Sequence, residues 1–225
     1  MDEREIVALT DKSTPLEHRK RIMKGLFGQV PILGPFIFEY VTDSKFERLV
    51  KFTAELAEDF ENYKREVDEE FIRKDEISIL VEEIIISSSR TANRDKRRYF
   101  LSCFKNTLIK KNVDPERKEY YLNILSGLTS LHLRFLALFA KPSMFNNVGI
   151  NSEGMYGDGW VETLKKCFPD LDAEIIKSVV TELHRMGLLN SDNITSLTAA
   201  RGLDLISGRL SALGLKFVEF CEIGG

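Results

Sequence analysis

The stretch RTANRDKRRYF gathers five cations, Arg90, Arg94, Lys96, Arg97 and Arg98, around one helix junction. The last four lie near a helix start, where the macrodipole disfavours positive charge, so some interaction must offset that cost. Either the cations pair with Glu82, Glu83 or Asp95, or Arg90, Arg94, Arg97 and Arg98 form a site for phosphate, nucleic acid or an acidic partner. The acidic runs Asp68-Glu69-Glu70, Asp75-Glu76 and Glu82-Glu83 supply carboxylates for cation binding or acid–base work. Neighbouring helix positions point apart, however, so these runs read as solvated faces. Pro169-Asp170 with Glu174 and Lys177 has the wrong spacing for a nuclease set and reads as a helix cap.

His18, His132 and His184 are scattered, no HExxH or Glu-x-x-His pair accompanies them, and His132 and His184 read as helix-face residues. There is no GxxxxGK followed by Ser or Thr, no GxGxxG and no GxSxG elbow. The expectation is a non-enzymatic protein with no cofactor, no metal site and no catalytic residues; an enzyme would have to assemble its site from residues distant in sequence.

The 225 residues are enough for two small domains, and 43% hydrophobic with 30% charged residues and only 6 Pro marks a helix-rich globular chain. Charge is uneven. Residues 1–141 hold 25 Lys and Arg against 24 Asp and Glu, whereas residues 142–225 hold 7 against 11, a poor balance for a surface that must attract phosphates. Cys103, Cys167 and Cys221 are odd in number and lie in apolar helical patterns, as expected of reduced core thiols in a cytoplasmic protein. No secretory signal is evident, and no uninterrupted apolar run reaches the roughly 18 residues of a spanning helix.

These side chains depend on a series of helices. Thr14-Pro15-Leu16-Glu17 is a capping box that opens a short basic helix, PLEHRKRIMKGLF. The apolar connector at residues 26–41 follows, broken by Gly28, Pro31, Gly34 and Pro35. A second capping box, Ser44-Lys45-Phe46-Glu47, begins a long helix over residues 44–73. Its Phe46, Leu49, Thr53, Leu56, Phe60, Tyr63 and Val67 alternate steps of three and four, a coiled-coil-like seam. Further helices are predicted over residues 75–89, whose middle ISILVEEIII needs cover on several sides, and over residues 93–111. Asp114-Pro115 starts another, with a bend or restart at Ser126-Gly127 and Thr129-Ser130 and a domain boundary there.

Beyond the boundary come LHLRFLALFA, the short helix GWVETLKKCF, a capped helix in PDLDAEIIKSVVTELHRMGLLN, a strand candidate GLDLISGRL and a closing helix SALGLKFVEFCEI. Gly187 sits where a left-handed cap belongs. This order resembles a winged-helix domain over residues 128–225. The loop before Gly159 is longer, and residues 190–203 more extensive, than a simple wing requires. The first half resembles uncharacterised bacterial or phage-encoded helical proteins that pair a Gly/Pro apolar segment with a long charged helix, a likeness that carries no known chemistry.

The predicted fold is therefore mainly α: a helical bundle at residues 1–127 with one long coiled-coil-like helix, then a winged-helix-like domain at residues 128–225 with a small β-hairpin. If that domain bound DNA, the resemblance implies that Lys177, Ser178, Thr181 and Arg185, beside Glu174, would face the groove. Only two of these five are cations, and the wing offers only Arg201 against Asp192, so a protein-interaction module is favoured over a DNA-binding regulator.

Burying a Leu, Ile or Phe side chain contributes about 1.5–3 kcal/mol, so Leu26, Phe27, Val30, Ile32, Leu33, Phe36, Ile37 and Phe38 demand cover. They are expected to lid the apolar helix at residues 77–86. The alternatives are burial in a homodimer, with Phe36, Phe38, Phe46, Leu49, Leu56, Phe60 and Tyr63 at the interface, or a membrane-active role for residues 19–41, where Arg19, Lys20, Arg21 and Lys24 precede the greasy stretch.

Overall fold

The computed structural model describes residues 74–143, 160–191 and 208–224 continuously, and before residue 74 it describes Arg48, Phe52, Glu55, Leu56, Asp59, Phe60, residues 62–67 and Phe71. The apolar connector, the basic segment before it, Phe46, Leu49 and most of the stretch proposed as a wing lie outside the described residues. The chain is mainly helical and falls into two compact units, Met1–Ser126 and Gly127–Gly225. Among the described residues, no single helix is long and apolar enough to cross a membrane.

In the first unit, Phe52, Leu56, Phe60 and Tyr63 are helical and buried, and the Phe60 and Tyr63 rings meet edge to face at 5.4 Å. This helix does not continue unbroken to residue 73. It tightens into a 3-10 turn at Lys64–Glu66, and Val67 lies outside any helix. The acids that follow in sequence, Asp68-Glu69-Glu70, are unfavourable at a helix C-terminus, so charge opposes the extension that apolar spacing alone suggests.

Helix α1, Asp75–Ser89, begins with Asp75 and Glu76, which suit the positive end of its dipole. It buries Ile77, Leu80, Val81, Ile84 and Ile85, a single stripe at steps of three and four. The expectation of cover on several sides fails at Ile79, which lies off that stripe and is 63% exposed. At the other end, the Ser88 and Ser89 hydroxyls donate to the Ile85 and Ile86 carbonyls, and Arg48 Nε donates to the Ser89 carbonyl at 2.7 Å.

Asn93 caps α2, Arg94–Ile109, by accepting from the Lys96 amide at 2.9 Å; α2 packs on α1, and its Phe100, Phe104 and Leu108 are buried. Helix α3, Pro115–Gly127, opens with proline at its first position, and Asp114 Oδ1 accepts from the Glu116 amide.

In the second unit, Thr129 caps α4, Ser130–Ala140. Helices α5, Trp160–Cys167, and α6, Ala173–Arg185, pack together, and α6 and α7, Ala212–Cys221, both contact α4. The core joins Phe135, stacked on Phe168 at 4.4 Å, to Ile176, Val180, Leu183 and Phe217. Gly187, at φ +73°, ends α6: the Leu188 amide reaches back to the Leu183 carbonyl and the Gly187 amide to that of His184, which is a Schellman motif. The chain then makes one antiparallel bridge, Leu189 to Leu210, the β structure present among the described residues. A hairpin with two strands is not among the described elements; residues 192–207, which would carry most of it, lie outside them.

Candidate functional site

The arginine cluster separates into structural and exposed members. Arg97 is buried; its Nη1 donates to the Ala92 carbonyl at 3.0 Å and reaches the Thr91 carbonyl at 3.4 Å. Those bonds tie down the turn before α2 and offset the cation's position at a helix start. Lys96 Nζ donates to the Ser126 carbonyl at 3.0 Å, in the last turn of α3, where a positive charge is favoured, and burial lowers its pKa. Arg90, Arg94 and Arg98 are exposed, and among the described residues none pairs with Glu82, Glu83 or Asp95. Arg97 therefore does not belong to an open anion site.

The seam residues Leu56, Phe60 and Tyr63 are buried within the first unit, which uses them as its own core. Phe36, Phe38, Phe46 and Leu49 lie outside the described residues. Burial and the Asp59 charge push the Tyr63 phenol well above its ordinary pKa, and among the described residues its hydroxyl has no hydrogen-bond partner. Lys118 is 1% exposed, with Nζ donating to the Thr107 carbonyl at 2.8 Å and lying 4.8 Å from the Phe71 ring centroid; burial lowers its pKa to about 8.

The proposed recognition face of α6 is occupied by its own carboxylates. Lys177 Nζ meets Glu174 at 3.1 Å, and the Ser178 hydroxyl donates to Glu182 Oε1 at 3.0 Å. Thr181 is half-buried and Arg185 exposed. On the same helix, Glu182 Oε2 is 2.9 Å from His132 Nε2. His132 Nδ1 accepts from the Thr129 amide at 3.3 Å, which places the imidazole proton on Nε2, toward Glu182, and the Thr129 hydroxyl lies 2.7 Å from the same Nδ1. Hydroxyl, imidazole and carboxylate thus stand in the order of a nucleophile, base and orienting acid. The Thr129 oxygen, however, accepts from the His132 amide as the cap of α4, so the chain of bonds serves as a tether from α4 to α6. The Ser178 hydroxyl and then His132 hold the Glu182 carboxyl below its ordinary pKa.

A surface not anticipated from the sequence lies between α1 and α3. It is an open groove of about 620 Å³ whose apolar lining is Ile79, Leu80, Pro115 and Leu122 and whose acids are Glu76, Glu83, Asp114, Glu116 and Glu119. Glu83 accepts from Ser87, but among the described residues none of the five carboxylates is in an ion pair. The signal was present as Glu76, Ile79, Leu80 and Glu83 at i, i+3, i+4 and i+7, one helix face mixing acids with apolar residues. Which helix would lie opposite was not written there. No family model, curated protein or solved structure matches this chain.

Proposed function

We propose that this chain is a non-enzymatic protein-interaction module, and that the groove between α1 and α3 is its principal contact surface. The observation that carries this reading is an apolar floor ringed by five carboxylates without ion-pair partners among the described residues. A recess of that kind attracts a cationic protein surface over distance and holds apolar side chains on contact. It repels a nucleic-acid backbone.

The second unit is read as winged-helix-like, supported by the order α4, α5, α6, the Leu189 to Leu210 bridge and α7. Its α6 face acts as a protein contact rather than a DNA reader, because Glu174 and Glu182 engage Lys177 and Ser178. The buried thiols of Cys103, Cys167 and Cys221, none of them in a disulfide among the described residues, support residence in a reducing compartment. Self-association remains part of the proposal, without the seam at Leu56, Phe60 and Tyr63.

Affinity capture with the full chain tests the reading. A protein retained by the wild type and lost from Glu83→Lys/Glu119→Lys supports it. Salt-sensitive retention of a duplex, with no protein captured through the groove, overturns it in favour of a DNA-binding regulator.

A further inference from the structure

We infer that the groove between α1 and α3 receives α2 of a second copy of this chain, seated through the face that carries Arg94, Arg98, Leu101 and Lys105. This rests on reading the groove as a protein-binding surface, and it names the partner. From α1 the groove takes Glu76, Ile79, Leu80 and Glu83, at i, i+3, i+4 and i+7. Two carboxylates thus bracket two apolar side chains along about 10.5 Å of helix axis. Ile79 is left 63% exposed between them. From α3 the groove adds Glu116 and Glu119, which like Glu76 and Glu83 have no ion-pair partner among the described residues.

Helix α2 repeats that spacing with the charge reversed. Arg98, Leu101, Ser102 and Lys105 also stand at i, i+3, i+4 and i+7, and Arg94 extends the same face by one turn. Arg94 and Arg98 are exposed and Leu101, Ser102 and Lys105 half-buried, in contrast to the buried Phe100, Cys103 and Phe104. Laid together, the two faces set cations opposite carboxylates and Leu101 against Ile79. Charge stands at both ends of each face, so the match holds for either relative direction of the helices. Arg94 also lies in the first turn of α2, at the positive end of its dipole. Arg97 and Lys96 offset that cost through carbonyls of their own unit, but Arg94 and Arg98 have no ion pair among the described residues. A nucleic-acid backbone would neutralise these arginines and be repelled from the groove, whereas a basic peptide would fill the groove and leave the arginines as they are. A second copy answers both surfaces at once, and a formal net charge of -3 leaves little overall repulsion between copies.

Sedimentation velocity on the full chain tests this. The wild type should form dimers or larger species at about 100 μM, and raising salt from about 0.05 M to about 0.5 M should weaken that association at least about tenfold. Glu83→Lys/Glu119→Lys and Arg94→Glu/Arg98→Glu should each stay monomeric where the wild type associates. An equimolar mixture of the two should associate again, because each altered surface then meets its opposite charge. Ile79→Ser changes an exposed side chain without changing charge, and it should weaken association by itself at least about threefold. Thermal melts establish that each variant is folded; where a charge reversal unfolds the chain, the salt dependence and Ile79→Ser decide. A wild type that stays monomeric at about 100 μM overturns the inference. Association that both reversals leave intact overturns it too, as does a mixture of folded variants that fails to reassemble. If protein capture still depends on the groove in those cases, only this inference falls and the protein-binding reading stands.

Discussion

In the second unit the buried imidazole of His132 has a partner at each ring nitrogen, whereas in the first unit Glu55 Oε2, Tyr63 Oη and Arg97 Nε are buried with none. These three are the buried side-chain polar atoms without a partner among the described residues, and all lie before residue 127. The same unit holds the buried Lys118 and the acid-rimmed groove. The second unit instead spends its special residues on local closure, with the Schellman turn at Gly187 and the cap at Ser211. Unsatisfied polar groups and unneutralised charge collect where a protein departs from its most stable arrangement, which is also where binding surfaces are found. The contrast places locally closed turns in the second unit and the unpaired buried polar atoms, with the acid-rimmed groove, in the first.

The sharpest way to break the comparison is at Gly214. A Cβ there would lie 2.1 Å from the Leu188 carbonyl oxygen, a backbone atom that cannot swing aside. Gly214→Ala should destabilise the protein by about 3 kcal/mol in urea unfolding, since overpacking against backbone has no inexpensive relief. A loss too small to measure would show that the closure of the second unit is loose.

Lys118 probes the first unit. Its folded pKa, about 8, lies below the unfolded value, so between those pH values the unfolded state binds more protons. Stability contributed through this group must therefore rise as pH increases from about 8 to 10.5. Relative to Lys118→Met, the wild type should gain up to about 3 kcal/mol over that interval. Parallel pH profiles for the two proteins would remove Lys118 from the set of strained groups. Tyr63→Phe comes next: deleting a buried hydroxyl without a partner should stabilise by about 1 kcal/mol, read as a higher midpoint of chemical denaturation. Destabilisation would mean that the hydroxyl is satisfied in solution.

Helix positions were legible because their signals are local. The stretch from Asp75 to Ser89 begins with two acids and carries a continuous apolar stripe, and Gly187 stands one residue past the C-cap of α6. The break at Lys64–Glu66 was hidden by an apolar spacing that runs through it. Burial of Lys118 was encoded, since it shares a stripe with Tyr121, Leu122 and Leu125, but its cation masked the pattern. His132 is inconspicuous in the sequence as the N3 partner of Thr129 because that role usually falls to Glu or Gln. Its other partner, Glu182, is fifty residues away, and nothing local announces a pairing made by folding. The groove was half legible for the same reason: α1 displays its face, but the placement of α3 beside it is a tertiary fact.

The smallest expected effect belongs to that tether. Glu182 is held below its ordinary pKa by Ser178 and His132, so the contribution of its carboxylate is present above the unfolded pKa and is lost as pH falls through the folded one. The carboxylate is half exposed, and exposed charge pairs contribute little, so Glu182→Gln should cost about 0.5 kcal/mol at neutral pH. In the acid range the wild type should fall to meet the variant, because protonation removes the charge that the substitution removes permanently. A gap that persists undiminished below the folded pKa would mean that packing of the α6 side chain, rather than its charge, joins α6 to α4. The second unit would then owe its closure to shape alone, and its contrast with the charge-bearing first unit would widen.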